Sequence, residues 1–453
     1  MSHRRFLGFL ALTLTLLMGG CIRPTTEYTI WHVDPTTDFA YPPTLTPFQL
    51  PTRIPGSPIL TPTPDAPRIL PETRTRSENY IVQYGDSLGV IANRFGVNIN
   101  IIINANSIVD PNLIEPGQVL LIPAPTIQPT GTGFKIIPDS ELVNGPLNSR
   151  YNLQDFVQHS KGWLKSYVEV VDGVETPGVD IVQRVAEDYS INPRLLLAIM
   201  EYQSQALTNP NADHDQKIHP VGHLESWRVG LYNQLAWAAN ELNRGYYLWK
   251  VNGISLWLLS DNNAVPIDPT LNAGTAAIQH LFSKISSYSS WVRDVSPDGF
   301  YAAYQQWFGY PFDLTIEPLI PADLSQPAMI LPFEPGQSWS FTGGPHGGWG
   351  DGSGWAALDF APPGEGKGCV LSPDWIVAVA DGLVVRSENG SVIQDLDGDG
   401  FEQTGWTVLY LHVDYSERVA VGTHLHTGDR IGHPSCEGGY SLGSHVHIAR
   451  RYN

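Results

Sequence analysis

The tetrapeptide Ser444-His445-Val446-His447, close to the end of the chain, decides how the last part of the sequence is organised. Two histidines that lie two residues apart on an extended segment point to the same side of a sheet. Such a pair can divide two tasks, because one imidazole binds a metal ion while the other faces a substrate. The stretch therefore predicts a β-structured domain with a metal-dependent site.

Short segments of β-type composition surround this tetrapeptide. They occupy 375–380, 383–385 and 406–413, and Asp381-Gly382 forms a turn between the first two. The third segment carries another histidine, His412. A lone histidine is more often structural than catalytic, but three of them in one glycine-rich β region, with a histidine and an aspartate upstream, favour an active site. We therefore expect an all-β C-terminal domain.

Residues 328–453 resemble the lysostaphin/LytM-type zinc metallopeptidases, which cut peptide bonds in bacterial peptidoglycan. The resemblance implies that Asp359 and His447 bind Zn²⁺ and that His412 and His445 are the catalytic histidines. It implies metal-assisted hydrolysis, because zinc with three protein ligands keeps a fourth position for water. The matching motifs are Ala357-Leu358-Asp359-Phe360-Ala361-Pro362, Ala380-Asp381-Gly382, Tyr410-Leu411-His412, Gly428-Asp429-Arg430-Ile431-Gly432 and Ser444-His445-Val446-His447.

The third zinc ligand that the family implies is displaced in this sequence. The usual His-x-x-x-Asp spacing puts a histidine at position 355, where this chain has Trp355, and the nearest upstream histidine is His346. Glycines on both sides of His346 permit tight backbone conformations, so this segment is predicted to fold back as a loop and bring His346 to the metal. In the alternative, the zinc site is incomplete and the domain is a catalytically inactive regulator of other wall hydrolases.

The composition bounds the number of domains and the class of partner. The chain has 453 residues, which is too long for one hydrophobic core and sufficient for three modest domains. It carries 45 acidic and 26 basic residues, a formal net charge of −19. Nucleic-acid binding needs basic surface, because the phosphate backbone is negatively charged. The charge therefore argues against nucleic acid as a partner.

Residues 1–21 have the pattern of an export signal. Arg4-Arg5 begins it, an apolar run follows, and Gly19-Gly20-Cys21 ends it. The segment resembles a bacterial lipoprotein signal, which implies that Cys21 is lipidated and anchors the chain at the outer face of the bacterial membrane, facing the cell wall. The alternative is an ordinary signal peptide. Residues 22–77 are rich in Pro and Thr and are expected to form an extended linker without fixed structure.

Two further cysteines, Cys369 and Cys436, lie in the C-terminal domain. Outside the cytoplasm such a pair is more often a disulfide than two free thiols. We therefore predict a disulfide between them and exclude both residues from the metal site.

Residues 78–124 are predicted to form a compact βααβ module. A strand at 80–82 precedes a helix with apolar residues at helical spacing, and a second helix at 98–106 leads to a strand at 119–122. This order and these residues resemble a LysM domain, a family that binds N-acetylglucosamine-containing glycans such as peptidoglycan or chitin. The resemblance implies a glycan-binding groove formed by Gly85, Asp86, Ser87, Leu88, Leu113 and Ile114.

The long region 136–325 is predicted to be an all-α domain. The stretch from Tyr189 to Ser204 resembles the catalytic-helix region of lysozyme-like lytic transglycosylases. That family has its catalytic Glu directly before the Ser, where this chain has Gln203, and Glu201 points about 200° away from that position on a helix. We therefore expect a glycan-holding domain, and glycan cleavage with Glu201 as the acid is the alternative. Helices are expected at 179–189, 231–243, 273–286 and 300–308, and a very apolar helix through 195–200 is expected to start at Asn192-Pro193.

The sequence as a whole predicts a multidomain protein with a βααβ LysM module, an all-α central domain and an all-β peptidase domain. The predicted function is that of a peptidoglycan hydrolase at the cell surface, acting as a zinc-dependent endopeptidase whose LysM module binds the wall glycan. The expected partner is peptidoglycan or another N-acetylglucosamine-containing glycan. The membrane is expected to be contacted only through the lipid anchor.

Overall fold

A computed structural model describes residues 62–72, 74–364 and 368–452 of the chain. The predicted signal segment with Cys21 and most of the Pro/Thr-rich linker lie outside these ranges. Every helix within the ranges is too short or too polar to span a membrane.

The first module is a βααβ unit, as the sequence predicts. β1 and β2 pair antiparallel, so the beginning and the end of the module lie side by side. Ile91 and Ile102 from the two helices pack on Leu120 and Ile122 in one small core. The elements are β1 (Glu78–Ile81), α1 (Leu88–Phe95), α2 (Ile99–Asn106) and β2 (Val119–Ile122).

The last part of the linker lies against the central region. The backbone N–H groups of Asp65 and Arg68 donate to the carbonyl oxygens of Thr270 and Pro269, both at 3.0 Å. The Asp65 carboxylate also lies 2.6 Å from Lys135 Nζ. These residues are therefore held in place, and the expectation of a linker without fixed structure is wrong for them.

The central region is mainly helical. The expected helices are confirmed, and α5 starts where the sequence indicates, because the Asn192 side chain accepts a hydrogen bond from Arg194 N and Pro193 occupies the first turn. The helices are α3 (Leu153–His159), α4 (Gly178–Tyr189), α5 (Pro193–Ser204), α6 (His214–Ile218), α7 (Leu231–Lys250), α8 (Ala273–Ile285), α9 (Tyr288–Asp294) and α10 (Phe300–Phe308).

The prediction of an all-α central domain is wrong in one respect, because two small sheets accompany the helices. Their strands are β3 (Thr126–Ile127), β4 (Val168–Val171), β5 (Val174–Pro177), β6 (Leu256–Leu258) and β7 (Asn263–Pro266). The strands β3, β7 and β6 form one sheet in that order, and β4 and β5 form a hairpin. The hairpin turn is Asp172-Gly173, with φ of 50° and 83°. Asp-Gly between valine-rich runs is a hairpin signal, which the sequence interpretation overlooked.

The C-terminal region is an all-β domain, as predicted. Seven strands form one antiparallel sheet in the order β14–β11–β12–β13–β16–β9–β8, and β10 pairs with β15. The predicted disulfide between Cys369 and Cys436 is present. The strands are β8 (Ser340–Gly347), β9 (Trp355–Ala361), β10 (Ile376–Val377), β11 (Gly382–Glu388), β12 (Ser391–Asp395), β13 (Trp406–Leu411), β14 (His424–Leu425), β15 (Arg430–Gly432) and β16 (Val446–Tyr452).

A group of charged residues joins the central region to the β domain. Arg386 Nη1 donates to Asp188 Oδ1 at 2.6 Å, and its Nε and Nη2 donate to the two Glu402 oxygens at 3.1 and 3.2 Å. Arg451 donates to Glu402 and, at 3.1 Å, to the carbonyl oxygen of Glu187. We call these five residues the interdomain charge cluster. It connects the end of α4 with β11 and β16.

The interdomain charge cluster predicts how stability depends on pH. Burial and the nearby carboxylates of Glu402 and Asp188 raise the pKa of Glu187 to about 7 from its ordinary 4.5, against the opposing effect of Arg386. Between pH 4.5 and about pH 7, Glu187 keeps its proton in the folded chain and has lost it in the unfolded chain. The free energy of unfolding therefore falls as pH rises through this window. Glu187→Gln should therefore raise the urea midpoint at pH 8 and leave it almost unchanged at pH 4. An equal shift at both pH values would contradict this assignment.

Candidate metal centre

Three neighbouring strands bring the predicted metal ligands together. His447 on β16 lies directly opposite Asp359 on β9, and β8 pairs with the other edge of β9. Directly opposed residues of an antiparallel pair project from the same face with Cβ atoms about 5 Å apart. The register therefore places Asp359 beside His447, and His346 reaches the pair from β8.

The donor atoms of these three residues form a compact cluster. His346 Nε2 lies 2.8 Å from Asp359 Oδ2, and His447 Nδ1 lies 3.3 Å from Asp359 Oδ1. One donor atom of each residue lies within 4.8 Å of the others. Burial raises the pKa of Asp359, but His447 and His346 outweigh this effect and lower the pKa to about 2. The carboxylate is therefore ionised at neutral pH, as a metal ligand must be.

The hydrogen bonds of the two imidazoles show that the cluster fits a cation. His447 Nε2 lies 2.9 Å from the carbonyl oxygen of Gly348, and His346 Nδ1 lies 3.2 Å from that of Gly347. The carbonyl oxygens can only accept, so they orient the two rings and leave His346 Nε2 and His447 Nδ1 facing Asp359. Asp359 Oδ1 is buried and accepts no hydrogen bond from any described residue. Two imidazole nitrogens and a carboxylate that converge on one point are a donor set that suits zinc.

Two further histidines lie beside the cluster. The ring centres of His412 and His445 are 4.5 Å apart, and His445 Nε2 lies 3.7 Å from Asp359 Oδ1. A backbone carbonyl orients each ring. His412 Nδ1 donates to the carbonyl oxygen of Glu437 at 2.6 Å, and His445 Nδ1 donates to that of Gly443 at 2.8 Å. Because each Nδ1 donates to a carbonyl oxygen, Nε2 is the nitrogen of each ring that remains to face the site.

The backbone of His412 is itself unusual. The residue directly follows β13, and its φ of 67° lies in the left-handed region that few residues other than glycine adopt. Such conformations are concentrated at functional sites. Burial lowers the pKa of His412 to about 4. The imidazole is therefore neutral at pH 7 and able to accept a proton at Nε2.

The structure brings all five predicted residues of this site together, but His346 arrives by a different route from the one expected. The chain folds back and brings His346 to the cluster, as predicted, but His346 lies on strand β8, paired with Ala357 of β9, and not in a loop. Trp355, which occupies the usual histidine position, begins β9 with a side chain that is 76% exposed. The ligand therefore comes from the neighbouring strand of a hairpin, and Trp355 does not leave the cluster incomplete.

The groups that orient the imidazoles were not identified from the sequence. They are the carbonyl oxygens of Gly347, Gly348, Glu437 and Gly443. Backbone carbonyls have no side-chain signature, so a residue pattern rarely reveals them. The Gly347-Gly348 pair directly after His346 is the one local signal that indicated close backbone contact.

The predicted glycan-binding residues of the first module differ in exposure. Gly85 and Ser87 are exposed, and the Leu113 side chain is 74% exposed. Leu88 is buried in the module core. Its side chain cannot contact a glycan, so its assignment to the groove is corrected.

Asp86 and Ile114, the other two predicted groove residues, have structural contacts. Asp86 Oδ2 accepts hydrogen bonds from the Tyr80 hydroxyl at 2.6 Å and from Gln83 N at 2.8 Å. Ile114 packs, partly buried, against the module core. Asp86 therefore shapes the first loop of the module, beside the exposed Gly85.

Glu201, the residue on which glycan cleavage by the central region depends, is engaged in local hydrogen bonds. Its Oε2 accepts from Leu207 N at 2.8 Å, and its Oε1 accepts from the Thr208 hydroxyl at 2.7 Å. A general acid for glycan cleavage has to face the glycosidic oxygen. These bonds hold the carboxylate against the loop after α5 and favour a structural role.

Two family models match parts of the chain. The model described as LysM domain matches residues 80–123, and the model described as LasA, N-terminal domain matches residues 135–321. The first match coincides with the predicted LysM module. The second covers almost all of the helical region, whose resemblance to lysozyme-like enzymes stays a prediction.

Curated proteins similar to the chain include a protease and an amidase. Protease LasA from two Pseudomonas aeruginosa strains is 29% identical over 282 residues, which cover 58% of this chain and 64% of LasA. The chain therefore spans less than two thirds of the length of these relatives. The N-acetylmuramoyl-L-alanine amidase XlyA of Bacillus subtilis is 48% identical over 50 residues, 11% of this chain and 17% of that protein.

Solved structures of peptidases cover a smaller part of the chain. The M23 metalloprotease pseudoalterin from the deep sea is 26% identical, covering 28% of this chain and 73% of its own, with a TM-score of 0.23. Lysostaphin from Staphylococcus simulans is 21% identical, covering 28% and 49%, with a TM-score of 0.20. The two domain matches and the similarity to LasA support an architecture that combines a LysM domain with a LasA-like protease region.

Proposed function

We propose that the C-terminal domain is a zinc-dependent endopeptidase that hydrolyses peptide bonds of peptidoglycan. The observation that carries this proposal is the convergence of His346, Asp359 and His447 on one point, where Asp359 Oδ1 is buried without a hydrogen-bond donor from the described residues. These three residues would hold the zinc. The ion would supply Lewis acidity and lower the pKa of a bound water to about 7.

His412 and His445 are the proposed catalytic residues. Their rings lie together beside the metal ligands, and each has Nε2 as an acceptor. During hydrolysis the water oxygen bonds to the peptide carbonyl carbon and the C–N bond breaks. An imidazole Nε2 accepts the proton that the water loses, and this proton passes to the leaving amine. The second imidazole orients the same water by accepting its other hydrogen at Nε2, and the imidazole that has taken up the proton stabilises the negative charge that develops on the carbonyl oxygen.

The LysM module is proposed to bring the peptidase to its substrate. Binding to peptidoglycan or another N-acetylglucosamine-containing glycan raises the local concentration of the cleavable peptides. Lipidation of Cys21 would hold the chain at the outer face of the membrane, and this anchor is its one proposed membrane contact. Cell fractionation checks both assignments, because the intact chain should be found with the membrane, carry an acylated Cys21 and sediment with purified peptidoglycan. A chain without acylation and without sedimentation would contradict them.

The zinc content of the purified full chain and of His346→Ala tests the peptidase proposal. Wild type should bind about one zinc per chain, and His346→Ala should lose it, because two remaining ligands do not hold the ion tightly. Wild type should release new amino groups from purified peptidoglycan, and the variant should not. His424→Ala, in which an exposed histidine of the same domain is replaced, is the matched control and should retain zinc and activity.

Two results would contradict the proposal. A folded wild-type chain that takes up no zinc when zinc is supplied would favour the catalytically inactive regulator. New reducing or anhydro sugar ends without new amino groups would instead indicate glycan cleavage by the central region.

A further inference from the structure

The loop between β8 and β9, residues 348–354, joins the metal centre to the central region. We call it the β8–β9 loop. Its first residue, Gly348, provides the carbonyl oxygen that accepts from His447 Nε2 at 2.9 Å. The strand that leads into the loop carries His346. A displacement of this loop would therefore turn the imidazole of one metal ligand and move another.

Asn240 on α7 holds the β8–β9 loop from the side of the central region. Its Oδ1 accepts a hydrogen bond from Gly352 N at 2.8 Å, and its Nδ2 donates to Asp351 Oδ1 at 2.6 Å. Gly352 is buried, and a Cβ atom at this position would lie only 2.0 Å from the carbonyl oxygen of Asn240. The loop therefore lies directly on the helix, with no space for a side chain between them.

A second residue of α7 contributes less. Arg244, one turn after Asn240, forms an ion pair with Asp351 at 2.8 Å. The Asp351 side chain is 80% exposed, so water and salt screen this pair. The hydrogen bond to Gly352 N is partly buried, and its loss would leave the donor of a buried residue unsatisfied. Asn240 is therefore the principal contact.

We propose that Asn240 is a positioning residue for the metal centre. By holding the β8–β9 loop, it keeps the Gly348 carbonyl against His447 and so sets the affinity of the site for zinc. This inference rests on the proposed zinc peptidase function. The central region thus contributes to a site whose ligands all belong to another domain, and its contribution acts through one loop.

The test is the zinc dissociation constant of the full chain, measured with Zn²⁺ in competition with a chromophoric chelator. Asn240→Ala should weaken binding about tenfold, the lower end of the effect of removing partners of metal ligands. Arg244→Ala should weaken it less. Asn233→Ala, in which an exposed asparagine of the same helix is replaced, should bind as wild type. Gly352→Ala, a change in the loop itself, should weaken zinc binding in the same way, because its methyl group would displace the loop.

A merely structural role of Asn240 predicts a different pattern. It would lower the melting temperature of the metal-free chain and leave the zinc dissociation constant unchanged. The exchange variant Asn240→Asp with Asp351→Asn swaps donor and acceptor, and it should recover most of the affinity. Wild-type affinity in both Asn240→Ala and Gly352→Ala would overturn the positioning role while the peptidase proposal stands. Absence of zinc binding in the wild type would overturn both.

Discussion

The variant His412→Asn is expected to keep its zinc and to hydrolyse peptidoglycan peptides about 10²- to 10⁴-fold more slowly. The reason is that it lacks the proposed acid–base catalyst. The neutral His412 imidazole can accept a proton at Nε2, whereas an asparagine amide cannot. Asparagine is the suitable replacement because it tolerates the left-handed backbone that His412 adopts, with φ of 67°. The measurement is kcat on a peptidoglycan-derived peptide, with zinc content determined on the same sample.

The control for this prediction separates catalysis from metal binding. His424→Asn, at an exposed position of strand β14, should change neither kcat nor zinc content. Loss of zinc in His412→Asn would make His412 part of the metal-binding group. Wild-type turnover with zinc bound would remove His412 from the catalytic residues.

Removal of Arg386 is expected to have the largest effect on stability. Arg386→Ala takes away a cation that Asp188 and Glu402 share, and both carboxylates are almost completely buried, with side chains 4% and 6% exposed. Breaking a buried ion pair from one side costs about 3–5 kcal/mol, because a charge remains in a poorly solvated environment. Urea unfolding of the full chain should show a lower midpoint or a separation into two transitions, since the lost contact joins two domains.

An exposed arginine of the same domain provides the comparison for Arg386. Arg430 pairs with Glu334 at 2.8 Å, but its side chain is 56% exposed. Exposed pairs contribute about 0–1 kcal/mol, so Arg430→Ala should hardly move the midpoint. Equal midpoints for Arg386→Ala and Arg430→Ala would show that the interdomain charge cluster does not stabilise the junction.

The strand-borne part of the site could be predicted from the sequence because its signal is local. The alternation in Ser444-His445-Val446-His447 predicts that the two histidines share a face, and both lie close to Asp359. The position of His346 beside Asp359 is not determined by local sequence. It depends on the pairing of β8 with β9, whose register shifts at three places. No spacing rule within one strand could have given that geometry.

Contacts between domains were outside the reach of the sequence interpretation. The periodic apolar positions of α4, α7, α8 and α10 predict those helices, but they do not indicate which polar residue of a helix meets another domain. Asn240 and Gly352 are 112 residues apart and nothing in either segment marks the pair. The same holds for Arg386 and Asp188. Long-range polar contacts depend on the final packing, which a local pattern does not encode.

The disulfide bond between Cys369 and Cys436 affects how well the domain resists proteolysis. It ties the segment after β9 to the segment that leads to His445, where Ser444 N also donates to the carbonyl oxygen of Gly368 at 3.2 Å. Proteases cut exposed backbone that opens locally, and loops are their preferred targets. A covalent tie restricts such opening on one side of the proposed catalytic histidines. The working lifetime of the domain among other proteases therefore depends on this bond as well as on the packing of its core.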